Sequence, residues 1–396
     1  MKSDSSYIFL HRMFRGMADA TIKVFVPLLI LKATGSLMLS FVYLVVNYFI
    51  ASVLFFALKK FIQKYMFLCL ILSIIPIVAG AFLLTIEINI WIVLVLALLY
   101  SVSDVLYYGG LNLIFATFDS KANMAKFEAG SNLGRIIFCL LSAYVLGNVA
   151  NSTLFVVLFS LLFYALSIVP IIFRYKKLKF LTKDIPVCKT KDVMKDTRVY
   201  NIYHCFTGIF QFFVEAFLPL YLYVNGLTFS VVGYLVAIQY VVVIIAGYFA
   251  KFLVDKKQIN LNVILGSILL LGSLIAIMLT KNVKAIYALT IVISFGYNML
   301  FQALFSKFIL EQKQKGFYYD SILYRDVFQN GARVIASATF LIFSNYIVMF
   351  ALGIASSIGI GVSSIFCAKN GKNNKTDEKP IEEKSHENEQ ELEDEK

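Results

Sequence analysis

Residues 12–31 read RMFRGMADATIKVFVPLLIL, an apolar run of membrane-spanning length that nevertheless carries four charges. Arg12, Arg15, Asp19 and Lys23 follow one another at steps of three and four, so an α-helix places them in one stripe down a single face. On insertion scales each such charge costs roughly 2.5–3.5 kcal/mol at the bilayer centre. The stripe must face a protein interior or a water-filled cavity.

The rest of the chain supplies that setting. Of its 396 residues 60% are hydrophobic and only 15% charged, with a mean hydropathy of +0.79, a balance that a soluble domain could not bury. The formal charge of +12 lies mostly between apolar runs, so it reads as membrane topology and not as a nucleic-acid surface. Cys69, Cys139, Cys188, Cys205 and Cys367 show no paired spacing and no CxxC, which supports neither a disulfide framework nor a zinc site. The first apolar run has charges spread through it and no A-x-A-like cleavage site, so it is expected to stay as a spanning helix.

Twelve apolar segments of spanning length are predicted, at 7–31, 37–58, 66–86, 90–117, 128–148, 152–173, 201–224, 228–250, 261–280, 284–306, 322–344 and 347–367. Lys59, Lys60 and Lys64 follow the second span, whereas the joints at 147–151, 225–227 and 345–346 are uncharged. Residues 174–198 hold Arg174, Lys176, Lys177, Lys179, Lys183, Lys189, Lys191, Lys195 and Arg198 against three aspartates, the strongest cytoplasmic marker in the chain. The expected organisation is an N-terminal six-helix bundle (1–173), a basic cytoplasmic linker (174–200), a C-terminal six-helix bundle (201–367) and a disordered, glutamate-rich cytoplasmic tail (368–396).

An internal repeat joins the two bundles. Lys23-Val24-Phe25-Val26-Pro27-Leu28 matches Glu215-Ala216-Phe217-Leu218-Pro219-Leu220 at an offset of 192 (215 less 23). Each proline removes a helix hydrogen bond and is expected to bend its helix. Tyr43-Leu44-Val45 matches Tyr234-Leu235-Val236, and Asn47-Tyr48 matches Gln239-Tyr240. Asp104-Val105-Leu106-Tyr107 falls on Asn298-Met299-Leu300-Phe301, and Asn132-x-x-Arg135 on Asn330-x-x-Arg333. Several matches in one order indicate two pseudo-symmetric halves of an all-α polytopic membrane protein.

Two parallel six-helix halves joined by a basic loop resemble the major facilitator superfamily, over residues 7–367 and by architecture more than by motif. The family's Gly-x-x-x-Asp-Arg-x-Gly-Arg type loop is eroded: residues 57–65 read ALKKFIQKY, and the counterpart keeps only Asp255-Lys256-Lys257. Asp104 stands near the place of the family's fourth-span arginine, and the fifth span has Gly130 and Gly134 but no proline, so a multidrug subfamily is not indicated. The resemblance implies that the first, fourth, seventh and tenth helices line a central cavity. It thereby directs Asp19, Lys23, Asp104, Glu215 and Asn298 toward one substrate pathway.

Ionisable groups at membrane depth are usually functional, which makes Asp104, Glu215 and Asp19 the candidates for proton coupling. Asp104 has no base within helical reach and must be hydrated, protonated or paired with another helix. Lys23 and Glu215 stand at matching positions, where a gate between them competes with snorkelling of Lys23 to the surface. Asp19 lies one turn from Arg15, and an intrahelical ion pair accounts for it equally well. Arg135 and Arg333, with Asn132 and Asn330 beside them, either hold an anionic group or pair with Asp326, Glu128 or helix ends. His11, His204 and His386 form no ligand or triad spacing, and no Ser or Cys nucleophile has a base nearby, so an intramembrane enzyme is disfavoured.

The expected activity is secondary transport by alternating access, a proton-coupled export of a small amphipathic compound. An importer of an anionic small molecule, and a transport-inactive sensor or lipid scramblase, are the alternatives. Moving a solute uphill a hundredfold costs about 2.8 kcal/mol, and one proton entering down 100 mV supplies about 2.3 kcal/mol. No nucleotide motif or metal cluster offers another energy source. The expected partners are the solute, protons and the lipid bilayer, with no cofactor and no nucleic acid, for a functional monomer in a bacterial plasma membrane with both termini cytoplasmic.

Overall fold

The computed structural model describes residues 2–116, 121–149, 152–174, 188–256 and 258–370. Most of the basic linker and nearly all of the acidic tail lie outside these residues. Besides short helices at Lys59–Lys64 and Thr190–Asp196, the described chain runs through twelve longer helical segments. The first is Lys2–Thr21, continued after a short turn by Val26–Thr34; the second is Leu37–Ala57; the third is Met66–Leu72 and Ile74–Leu83. The fourth to sixth are Ile90–Ala116, Lys121–Asn148 and Ser152–Phe173. The seventh is Arg198–Phe212, continued by Leu218–Val224, and the eighth to tenth are Phe229–Asp255, Ile259–Leu279 and Val283–Gln314. Tyr318–Phe343 and Tyr346–Asn370 are the eleventh and twelfth.

Among the described residues ten helices are long and apolar enough to cross a membrane. The first and eleventh fall short of that description because of the charges they carry, and both bury those charges against neighbours. Outward-facing positions are apolar instead: Trp91, Ile268 and Leu279 are among many large hydrophobic side chains left exposed on the surface, as a lipid-facing belt requires.

The packing repeats between halves. The fifth helix lies along the first and the eleventh along the seventh; the second packs on the fourth and the eighth on the tenth. Small residues permit the closest of these approaches. A Cβ on Gly134 would come within 2.4 Å of the Met13 carbonyl oxygen, and one on Gly208 within 2.4 Å of the Gln329 carbonyl oxygen. The halves meet where the second helix runs along the eleventh and the fifth along the eighth, each pair antiparallel.

Both prolines break their helices as their chemistry demands. Pro27 removes the donor that would reach the Lys23 carbonyl, and Pro219 removes the one that would reach Glu215, each four residues earlier. Lys23–Phe25 tightens into a 3-10 turn in which the Val26 amide donates to the Lys23 carbonyl. Phe213–Phe217 instead widens into a π-turn. A charged residue therefore sits at each discontinuity, and π-turns of this kind mark functional positions in helices.

Candidate functional site

A cavity of about 490 Å³ lies between the halves, with helices of both halves in its walls. Eight ionisable side chains line it, four acids (Asp19, Asp104, Glu215, Asp326) and four bases (Lys23, Arg135, Arg325, Arg333), so its formal charge balances. The predicted site residues Asn298 and Asn330 line it too; Asn132 is buried but is not part of the wall.

In the first half each charge on the cavity wall is matched. Lys23 forms an ion pair with Asp104 across the first and fourth helices. Asp19 accepts a hydrogen bond from the Tyr164 hydroxyl at 2.7 Å, with Arg15 at 3.4 Å and Arg135 at 3.9 Å. The Arg15 guanidinium also lies over the rings of Tyr107 and Tyr164, 4.0 and 4.6 Å from their centroids, while Arg12 donates to Glu128 at 2.8 Å. This buried network is what lets the charged first helix cross the bilayer, since an unpaired ion there would cost several kcal/mol.

In this structure Lys23 pairs with Asp104 and not with Glu215. Glu128 pairs with Arg12 and Asp326 with Arg325, while Arg135 reaches Asp19 and Arg333 reaches Gln211.

The second half has the same positions, with an amide where the first half has Asp19 and Asp104. Arg333 lies opposite Arg135 in the repeat, and its guanidinium donates to Gln211 Oε1 at 2.5 Å and Asn330 Oδ1 at 3.4 Å. Gln211 lies 192 residues after Asp19 (211 less 19), the same offset that links Lys23 to Glu215. Asn298 stands where the first half has Asp104, and its amide donates to the Ser294 carbonyl at 2.8 Å. Glu215 is exposed to the cavity and, among the described residues, has no ion pair or hydrogen bond.

The arginines also tie the halves together. Arg135 of the fifth helix lies over the Tyr240 ring of the eighth at 5.2 Å, and Arg333 of the eleventh over the Tyr48 ring of the second at 5.3 Å. Matched polar pairs flank them, with Asn47 donating to Ser101 Oγ at 3.0 Å and Gln239 to Ser294 Oγ at 3.2 Å. The halves also touch beyond the cavity at both ends. On the side of the chain termini, Lys59 pairs with Asp320 and Asn112 donates to Asp326 at 3.2 Å. On the far side, Asn148 donates to Ser230 Oγ at 3.0 Å and Phe41 stacks on Phe340 at 3.9 Å.

Sequence reading missed Gln211 and Arg325. The first carries no charge, although the repeat offset points to it; the second is adjacent to Asp326 near a predicted span boundary. His11 and His204 are both buried in helix packing, with His11 Nδ1 2.6 Å from the Ser167 carbonyl oxygen. Among the described residues no group of His, Cys, Asp and Glu is arranged to hold a metal ion.

Twelve helices in two matching sets around a charged central cavity define a transporter fold of the polytopic membrane class. The chain belongs to the Major Facilitator Superfamily, whose model matches residues 8–317. Solved structures agree in fold. A bacterial homologue of the iron transporter ferroportin, in an outward-facing state with soaked iron, superposes with a TM-score of 0.68 at 13% identity, covering 92% of this chain and 99% of that one. Its inward-facing state gives 0.67 at 12% identity, covering 93% and 99%. A POT family transporter in complex with a thioalcohol-conjugated peptide gives 0.67 at 12% identity, covering 94% and 96%. No curated protein matches by sequence.

Proposed function

We propose that this protein is a proton-coupled secondary transporter that moves a small amphipathic compound by alternating access, with residues 1–173 and 201–367 as the two moving halves. The observation that carries the coupling is Glu215, a carboxylate open to the cavity with no ion pair or hydrogen bond among the described residues. It takes up or releases a proton without breaking an existing contact, whereas Asp19 and Asp104 already have cationic partners in Arg15, Arg135 and Lys23. Its place on a π-turn beside Pro219 couples that charge change to a discontinuity in the seventh helix. Tyr48, Tyr240, Tyr297 and Phe301 give the cavity an aromatic surface for an apolar body. An importer of anions is less well served, because the cavity's formal charges balance. The basic residues of 174–198 support cytoplasmic termini.

A whole-cell accumulation screen comparing deletion and overexpression strains tests this reading and its direction together: an exporter lowers the cellular content of its substrate and an importer raises it. Each hit added to purified protein is expected to displace protons from the wild type and none from Glu215→Gln. Equal proton release from both proteins would remove Glu215 from the coupling.

A further inference from the structure

The cavity's charges do not cancel evenly in space. In the first half Lys23 meets Asp104 and Arg135 meets Asp19. At the corresponding places of the second half Glu215 replaces Lys23 and faces the position of neutral Asn298, while Arg333 has neutral Gln211, so each ion stands where its counter-ion's place is taken by an amide. Arg325 and Asp326 neutralise one another at 2.5 Å. One unmatched carboxylate and one guanidinium without a carboxylate in ion-pair reach therefore remain on the cavity wall.

They are close to each other. Gln211, which accepts from Arg333, lies four residues before Glu215 on the seventh helix, and the Glu215 carboxylate is among the charges that act on Arg333. The Arg333 guanidinium lines the cavity, and the acceptors it meets there, Gln211 Oε1 and Asn330 Oδ1, are neutral. A solute with a single net charge would satisfy one of the two ions and strand the other in a poorly hydrated site. A solute carrying both charges a few bonds apart satisfies both and keeps the cavity neutral.

We propose that the site takes a short zwitterion with an apolar or aromatic body, its ammonium at Glu215 beside Asn298 and its anionic group at Arg333. This rests on the transport reading above. The ammonium stands to Glu215 as Lys23 stands to Asp104, and the anionic group stands to Arg333 as Asp19 stands to Arg135. A proton on Glu215 removes the ammonium's partner, so proton and solute compete for one carboxylate.

The test is equilibrium binding to the purified full chain in lipid nanodiscs, with L-phenylalanine and L-leucine as zwitterions, their amides as cations and their N-acetyl derivatives as anions. The zwitterions are expected to bind roughly tenfold or more tightly than either singly charged form, the worth of one charge-assisted contact. Gln211→Asp places a carboxylate on Arg333 as in the first half. It is expected to reverse the preference between zwitterion and amide, and to do so in a chain that gains an ion pair and so remains folded. Glu215→Gln is expected to shift preference toward the N-acetyl forms. Preference for a singly charged form in the wild type, an unchanged preference in Gln211→Asp, or no binding of any of the six compounds overturns the inference. Glu215-dependent transport of a singly charged compound would overturn it while leaving the carrier reading intact; zwitterion binding without transport would do the reverse.

Discussion

Glu215→Gln is expected to abolish concentrative transport while leaving downhill exchange of the substrate across the membrane. The magnitude follows from the coupling: one proton moving through 100 mV is worth about 2.3 kcal/mol, which sustains a substrate gradient of roughly fiftyfold. In proteoliposomes holding such a potential, the wild type builds a gradient of that order and the variant settles at equal concentrations. Glutamine keeps the shape and lines the same cavity, and Glu215 has no ion pair to lose, so the fold is unaffected. A variant that still concentrates its substrate to the wild-type ratio would move the coupling to another group.

Asp104→Asn is expected to act on stability first. It removes the nearest counter-ion of the Lys23 ammonium from a mostly buried pair, with side chains 17% and 22% exposed, and leaves Asp19 as the remaining acid acting on it. Breaking a buried pair from one side costs roughly 3 kcal/mol at the lower end of what such pairs show. Chemical denaturation of the purified protein should register that loss. The double variant Lys23→Met/Asp104→Leu removes both charges and is expected to recover stability close to the wild type and to retain proton-coupled transport. Loss of coupling in the stable double variant would make Asp104 a proton site in its own right.

Much of this architecture is legible in the sequence because the membrane makes it so. A bilayer forces long apolar helices, and gene-level repetition leaves Pro27 opposite Pro219 and Arg135 opposite Arg333. Asp19, Lys23, Asp104 and Glu215, which the cost of intramembrane charge requires to be paired or wet, line the cavity. What the sequence did not disclose is which charge meets which. That depends on helix rotation and separation, and a sequence repeat aligns positions that are equivalent by symmetry, not positions that touch. Lys23 and Glu215 are equivalent, whereas Lys23 and Asp104 are the pair in contact. Gln211 shows the complementary limit, since a neutral side chain raises no cost signal although its position opposite Asp19 decides that Arg333 has no counter-ion.

The halves interlock through Arg135 on Tyr240 and Arg333 on Tyr48 at cavity level, with further contacts at either end. Alternating access requires the end contacts to break in turn. Pairs of spin labels on a cysteine-free background read this directly, one pair at Met38 and Ser344 on the far side and one at Lys60 and Gln314 on the side of the termini, all exposed positions. Pulsed dipolar spectroscopy across a pH series is predicted to show each pair lengthening in a separate population, so that the far side opens only in molecules whose other side is closed. Single, pH-independent distances for both pairs, or both pairs lengthening together, would contradict a carrier that exposes its cavity to one side at a time.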